Sequence, residues 1–242
     1  MNENKQIAIL EKILASNDSI RSVVAKCEAA AVHLSHGKTR ERRVVQLIIG
    51  HYANLCALSG GASGLPALIP FVGSLYSIFG ASAADAIAAL KFEIEMALAL
   101  TSYMGYDIDD SRERKLAIIM ACATLEEAFH RDRPVTVFDL VDSALAEYST
   151  RQLSKTMLKL FTRAVLTLTA KRWMRFFPLV GMAVGGVVNA MMSAHTGHGC
   201  YLTLCRRRRR DAKAAGLDMS EGSTIPETDD DIDAAWSFKK SK

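Results

Sequence analysis

The sequence predicts an all-α chain, a helical bundle with two glycine-broken, hairpin-like apolar segments. Half of its 242 residues are hydrophobic but only 7% are aromatic, so alanine, leucine and methionine carry the apolar content. These residues favour helix over sheet. The 15 glycines and 5 prolines are clustered, which leaves long intervals for uninterrupted helices. Within those intervals apolar residues recur at helical spacing. A chain of this length can bury a sizeable core.

Taken in order, residues 5–16 place Ile7, Leu10, Ile13 and Leu14 at helical spacing. Asn17 and Asp18 break that run and offer a cap for a second helix over residues 19–36, which Gly37 ends. Lys38, Arg40, Arg42 and Arg43 then form a basic turn. Gly37-Lys38-Thr39 has the closing letters of a phosphate-binding loop, but the loop's first glycine would fall at Val32, which excludes it. A helix to about Leu58 meets the glycine-rich break at residues 59–66, and a second apolar segment begins at Leu65. The next helix runs from Ser82 or Ala83 to about Tyr103. In it Lys91 and Glu95 are spaced to pair, and Asp85 is a helix-start carboxylate or a buried polar contact. Asp110 and Glu113 have the spacing of a capping box for a helix over 111–130. Thr136, with Asp139, caps 137–148, and Thr150 opens a helix to about Phe176. Pro178 starts the last helix, which reaches Leu204 and runs into Arg206, Arg207, Arg208, Arg209 and Arg210. The domain organisation is therefore a helical domain over 1–216 and an acidic tail over 217–242. The Ser, Gly, Pro, Thr and acid content of that tail predicts disorder.

Charge is unevenly spread. The formal net charge is +4, yet residues 212–242 hold four lysines against seven acids, leaving about +7 on the rest. A basic body points to an anionic partner, lipid or nucleic acid, or simply to a solvated helical surface. The five cysteines are widely spaced and form no CxxC, as expected of buried thiols in a reducing, cytoplasmic setting. The polar, mixed-charge start Met1-Asn2-Glu3-Asn4-Lys5 does not read as a secretory signal.

Candidate chemistry is sparse. His33/His36 and His195/His198 are paired at i, i+3, with Cys200 and Cys205 near the second pair, but the tight ligand grouping of a structural zinc site is missing. Glu127 and His130 match one Glu-x-x-His element of di-iron bundles, and no second element exists. No hydrolase, dinucleotide-binding or metalloprotease signature occurs, so neither a cofactor nor a catalytic residue is expected.

Two uncharged stretches, 44–84 and 176–205, dominate the pattern. Each carries a near-copy of one phrase, Ile69-Pro70-Phe71-Val72-Gly73 and Phe177-Pro178-Leu179-Val180-Gly181. Lys171, Arg172, Trp173 and Arg175 alternate cations with bulky apolar residues just before the second copy, a composition suited to a lipid head-group boundary. Small residues four apart, Gly60/Gly64 and Gly181/Gly185, permit close helix approach in a membrane or in a soluble core. Both stretches are long enough to span a bilayer. Central glycines and cationic flanks on both sides of the second stretch argue against crossing and favour hairpins that dip in or pack together. The arginine run lacks interleaved aromatics, which ranks lipid or solvent above nucleic acid.

Leu65-Pro66 through Asp85, Tyr103-Met104-Gly105-Tyr106-Asp107-Ile108-Asp109-Asp110, and Phe177-Pro178-Leu179-Val180-Gly181 through Asn189 to Gly197 carry a resemblance. Over roughly residues 20–210 the chain resembles the EcsC family of bacterial proteins, whose founding member is encoded beside an ABC transporter. The resemblance implies a helical, cytoplasmic or membrane-peripheral protein with no established reaction, and it supplies no catalytic residues. Asp85, Asp107 and Asn189 are the polar positions within the matching phrases. The expected function is that of a non-enzymatic, peripherally membrane-associated protein, accessory to a transporter or envelope process. It would bind anionic lipid through Lys171, Arg172, Trp173, Arg175 and the run Arg206 to Arg210, with a membrane protein as a further partner and no nucleic acid. The alternative is an enzyme or lipid-handling protein with an apolar pocket between the two uncharged segments.

Overall fold

A computed structural model describes residues 10–34, 38–59, 81–129, 136–171 and 181–216. After a helical turn at 10–13 come α1 (Asn17–Ala30), α2 (Lys38–Ser59), α3 (Ala81–Tyr103), α4 (Ser111–Phe129), α5 (Val137–Glu147), α6 (Thr150–Lys171) and α7 (Gly181–Ala214). No strand occurs among the described residues, and the all-α helical bundle predicted from the sequence is the fold observed.

The bundle is built around α3, which packs against α1, α2, α4, α6 and α7. Every residue from 90 to 101 of this helix is buried. A helix apolar on all sides has to be enclosed on all sides, and α3 has few polar positions to turn toward water. Its charged residues follow it inward: Lys91, Glu93 and Glu95 are all buried. The helix expected here is thus a core helix. Lys91 and Glu95 do pair, but inside the protein, and Glu95 also accepts a hydrogen bond from Ala15 N at 2.5 Å. A buried pair needs such extra donors to offset its desolvation.

α7 runs alongside α2, α3 and α4 and touches α5. Two glycines permit its approach. A Cβ at Gly197 would stand 2.7 Å from Ile49 Cγ1 on α2, and one at Gly199 would overlap Thr124 Cγ2 on α4.

Several boundaries follow local chemistry. Ser16, rather than Asn17 or Asp18, caps α1 by accepting from Ser19 N at 3.2 Å. α1 ends at Ala30, so His33 lies in the following turn and not on a helical face; His36 lies outside the described residues. The expected basic turn at 38–43 is instead the start of α2. Gly105, at φ +90°, closes α3, with Gly105 N on Ser102 O and Tyr106 N on Thr101 O, both at 3.1 Å. Asp110 accepts from Arg112 N, but the expected capping box with Glu113 does not form, because that glutamate turns to α7. The Thr136/Asp139 box does form, and Ser149 with Gln152 builds another at the head of α6.

Candidate functional site

α6 carries the clearest candidate surface. Its inward side is Leu153, Met157, Leu160 and Ala164, all buried. Arg151, Lys155, Lys159 and Arg163 recur four residues apart and are all exposed. This spacing stacks them along one face. Exposed Leu166 follows on the next turn. No described acidic residue lies within ion-pair distance of these four cations. Successive like charges at i, i+4 disfavour a helix by about 0.2–0.5 kcal/mol per pair, so local stability does not explain the ladder.

Beside the ladder, α4, α5 and α6 enclose a half-open cleft of about 500 Å³. Ala123, Val137, Leu140 and Leu160 give it an apolar lining, with Lys159, Arg163 and Glu127 among the polar residues around it.

The arginine run is divided. Arg207 is buried and forms a two-bonded ion pair with Glu113 of α4, both contacts at 2.7 Å. Its guanidinium stacks on Tyr106, 3.9 Å from the ring centre, and the Tyr106 hydroxyl donates to Asp211 at 3.0 Å. Arg210 pairs with Asp142 of α5, and Arg206 lies over the Phe138 ring at 5.4 Å. Arg209 is half-buried and Arg208 is exposed. Three of the five side chains therefore fasten α7 to its neighbours.

Asp107 is exposed in a small polar knot. It accepts from Asp109 N at 3.0 Å and faces Arg21 at 3.4 Å, while Arg21 pairs with Asp109 at 2.5 Å. Asn17 donates to Ile108 O and accepts from Arg114. The knot ties the α3–α4 connection to α1. Lys171 is the last residue of α6; its side chain, with Arg172, Trp173 and Arg175, lies outside the described residues, as do the side chains of Asp85 and Asn189. Of the His195/His198 pair, His195 is exposed and His198 is half-buried, its imidazole pushed down to about 4 first by burial and then by His195.

One buried group was not singled out by sequence reasoning. Glu93 accepts from the Ser193 hydroxyl at 2.5 Å and from the Cys56 thiol at 3.7 Å. Burial raises its carboxyl to about 7, against the opposing pull of Ser193, Cys56 and Thr196. Cys56 belongs to the first uncharged stretch and Ser193 to the second, so the two meet around this carboxyl. An acid inside a helix with no polar face was the available signal. Among the described residues no group of three or more His, Cys, Asp or Glu is placed to hold a metal ion. No described helix is long and apolar enough to cross a membrane.

Comparison with protein-family models, with curated proteins and with solved structures gives no match.

Proposed function

We propose that this chain is a non-enzymatic, membrane-peripheral protein that meets anionic lipid through the cationic face of α6 and the Lys171, Arg172, Trp173 and Arg175 segment that follows it. The observation that carries this reading is the exposed ladder Arg151, Lys155, Lys159 and Arg163, unpaired with any described acid and leading toward that basic, aromatic segment. Cations near an anionic surface contribute about 1 kcal/mol each. Exposed Leu166 adds apolar contact on the same helix. The EcsC resemblance supports a role as accessory to a transporter or envelope process at the cytoplasmic side. Arg208 is the exposed member of the arginine run.

Co-sedimentation of the full chain with vesicles tests this. The protein should bind phosphatidylglycerol-containing vesicles, ignore pure phosphatidylcholine, and be released by high salt. The variant K155E/K159E/R163E should bind about a hundredfold more weakly, whereas R208E should change binding far less. Equal binding to both lipids, or parental binding by the triple variant, would sink the reading.

A second reading, an enzyme or lipid-handling protein with a pocket between the uncharged stretches, draws support from Glu93, whose carboxyl is poised near neutrality where they meet. Mass spectrometry of purified protein for bound lipid or metal, compared with E93Q, separates it from the first.

A further inference from the structure

We infer that the α4–α5–α6 cleft binds one amphiphile whose head group carries both a phosphate and a primary ammonium, a lipid of the phosphatidylethanolamine type. The inference deepens the proposed function by naming a lipid class, and it rests on that reading only for the membrane as the ligand's source.

The walls of the cleft come from three helices. Thr156, Lys159, Leu160 and Arg163 stand at i, i+3, i+4 and i+7, so a single face of α6 forms one wall. Ala123 and Glu127, four apart, supply the α4 wall, and Val137 and Leu140 the α5 wall. At about 500 Å³ the cleft has the size of a small-molecule site. Its make-up agrees with that use, since such sites combine an apolar lining with a few polar groups. Ala123, Val137 and Leu160 are buried, whereas Glu127, Lys159 and Arg163 are exposed. The apolar groups therefore form a floor and the charges a rim.

The rim selects the ligand. Glu127 and the two cations line the same cleft, yet no ion pair joins the acid to Lys159 or Arg163. Opposite charges that face one cavity without meeting complement a ligand that carries both signs. Lys159 and Arg163 lie on adjacent turns, with Cβ atoms about 5–6 Å apart, so both can turn to one anion. A phosphate suits them better than a carboxylate, because it has more acceptor oxygens to share between a forked guanidinium and an ammonium. Glu127 then accepts from the ligand's own ammonium. A primary ammonium has N–H groups to donate, and a quaternary one has none. The ligand's chain covers Leu140 and Leu160, which a head group alone would leave in water.

Isothermal titration of the full chain with lysophosphatidylethanolamine, kept below its micelle concentration, tests this. Binding should be saturable, with one ligand per chain. Phosphoethanolamine, which has both charges but no chain, should bind about tenfold more weakly or worse. Lysophosphatidylcholine, which keeps the chain but has no N–H on its head, should also lose about tenfold. E127Q should erase the difference between the two lysolipids, and R163Q should weaken both. Both positions are exposed, and an unchanged circular dichroism melt certifies the fold of each variant. Equal affinity of the parent for the two head groups, a parental preference in E127Q, or no saturable binding would each overturn the inference. Vesicles separate it from the membrane reading. Lysolipid binding by a parent that ignores phosphatidylglycerol vesicles supports the cleft and drops that reading. Vesicle binding without lysolipid binding does the reverse.

Discussion

At the scale of single residues, the molecule's most distinctive choices are charges in its interior. Glu93 holds its proton more tightly when folded, because burial raises its carboxyl from the ordinary 4.5 to about 7. The stability it contributes is full below pH 4.5 and is lost as pH rises toward 7. The loss across that window is on the order of 3 kcal/mol. E93Q should therefore flatten the upper part of the stability–pH curve, measured by urea unfolding at pH 5 and pH 8, and should be the more stable protein at pH 8. A parental slope in E93Q would show that this carboxyl does not titrate in the window. Arg207 poses the opposite case. It and Glu113 are nearly enclosed, with side-chain exposures of 10% and 15%. R207A strands the acid and should cost about 3–5 kcal/mol, whereas R208A, at an exposed position, should cost little. Equal losses in the two variants would contradict the division of the arginine run.

Among elements, α7 depends on having no side chain where it crosses its neighbours. Alanine at Gly199 must displace Thr124, which is a stiff β-branched residue tied to Met120 O at 2.8 Å. G199A should lose about 1–3 kcal/mol. At Gly50 of α2 a Cβ meets nothing within 4 Å, so G50A should gain up to about 1 kcal/mol from helix propensity alone. Thermal unfolding should move in opposite directions for the two variants. The sequence could not rank these glycines, since both sit inside helical patterns and only the partner helix distinguishes them. Local signals were easier to read. Thr136 with Asp139 and the closing Gly105 act within one turn, and the helices they bound lie where the spacing predicts. Glu113 was misread because its partner Arg207 is 94 positions away, and a distant two-bonded pair outcompetes a local cap.

For the whole molecule, fold class was legible because it rests on composition and period, and both survive without knowledge of packing. The inside of the bundle was less so. The i, i+4 spacing of Lys91 and Glu95 predicts their pairing but not its place, which is inside the protein because five neighbouring helices enclose α3. The exposed face of α6 is hard to read in the sequence for a related reason: its four cations are spread over three turns and form no run, unlike the five adjacent arginines. Adjacent residues on a helix point in different directions, so such a run is divided among several neighbours, whereas spaced charges add up on one side.

The enclosure of α3 also bears on how the chain is made. Its walls include α7, which reaches it from far along the sequence; Ser193, for example, donates to Glu93 across 100 positions. During synthesis α3 emerges long before that wall exists. For the time needed to add about a hundred residues, at about 5–20 per second, its apolar surface and its charges have no complete shelter. A ribosome-bound chain stopped before residue 181 should thus be protease-sensitive along α3 and should gain protection once residue 205 has cleared the exit tunnel. The bundle closes from its last helix, and its central helix waits for it.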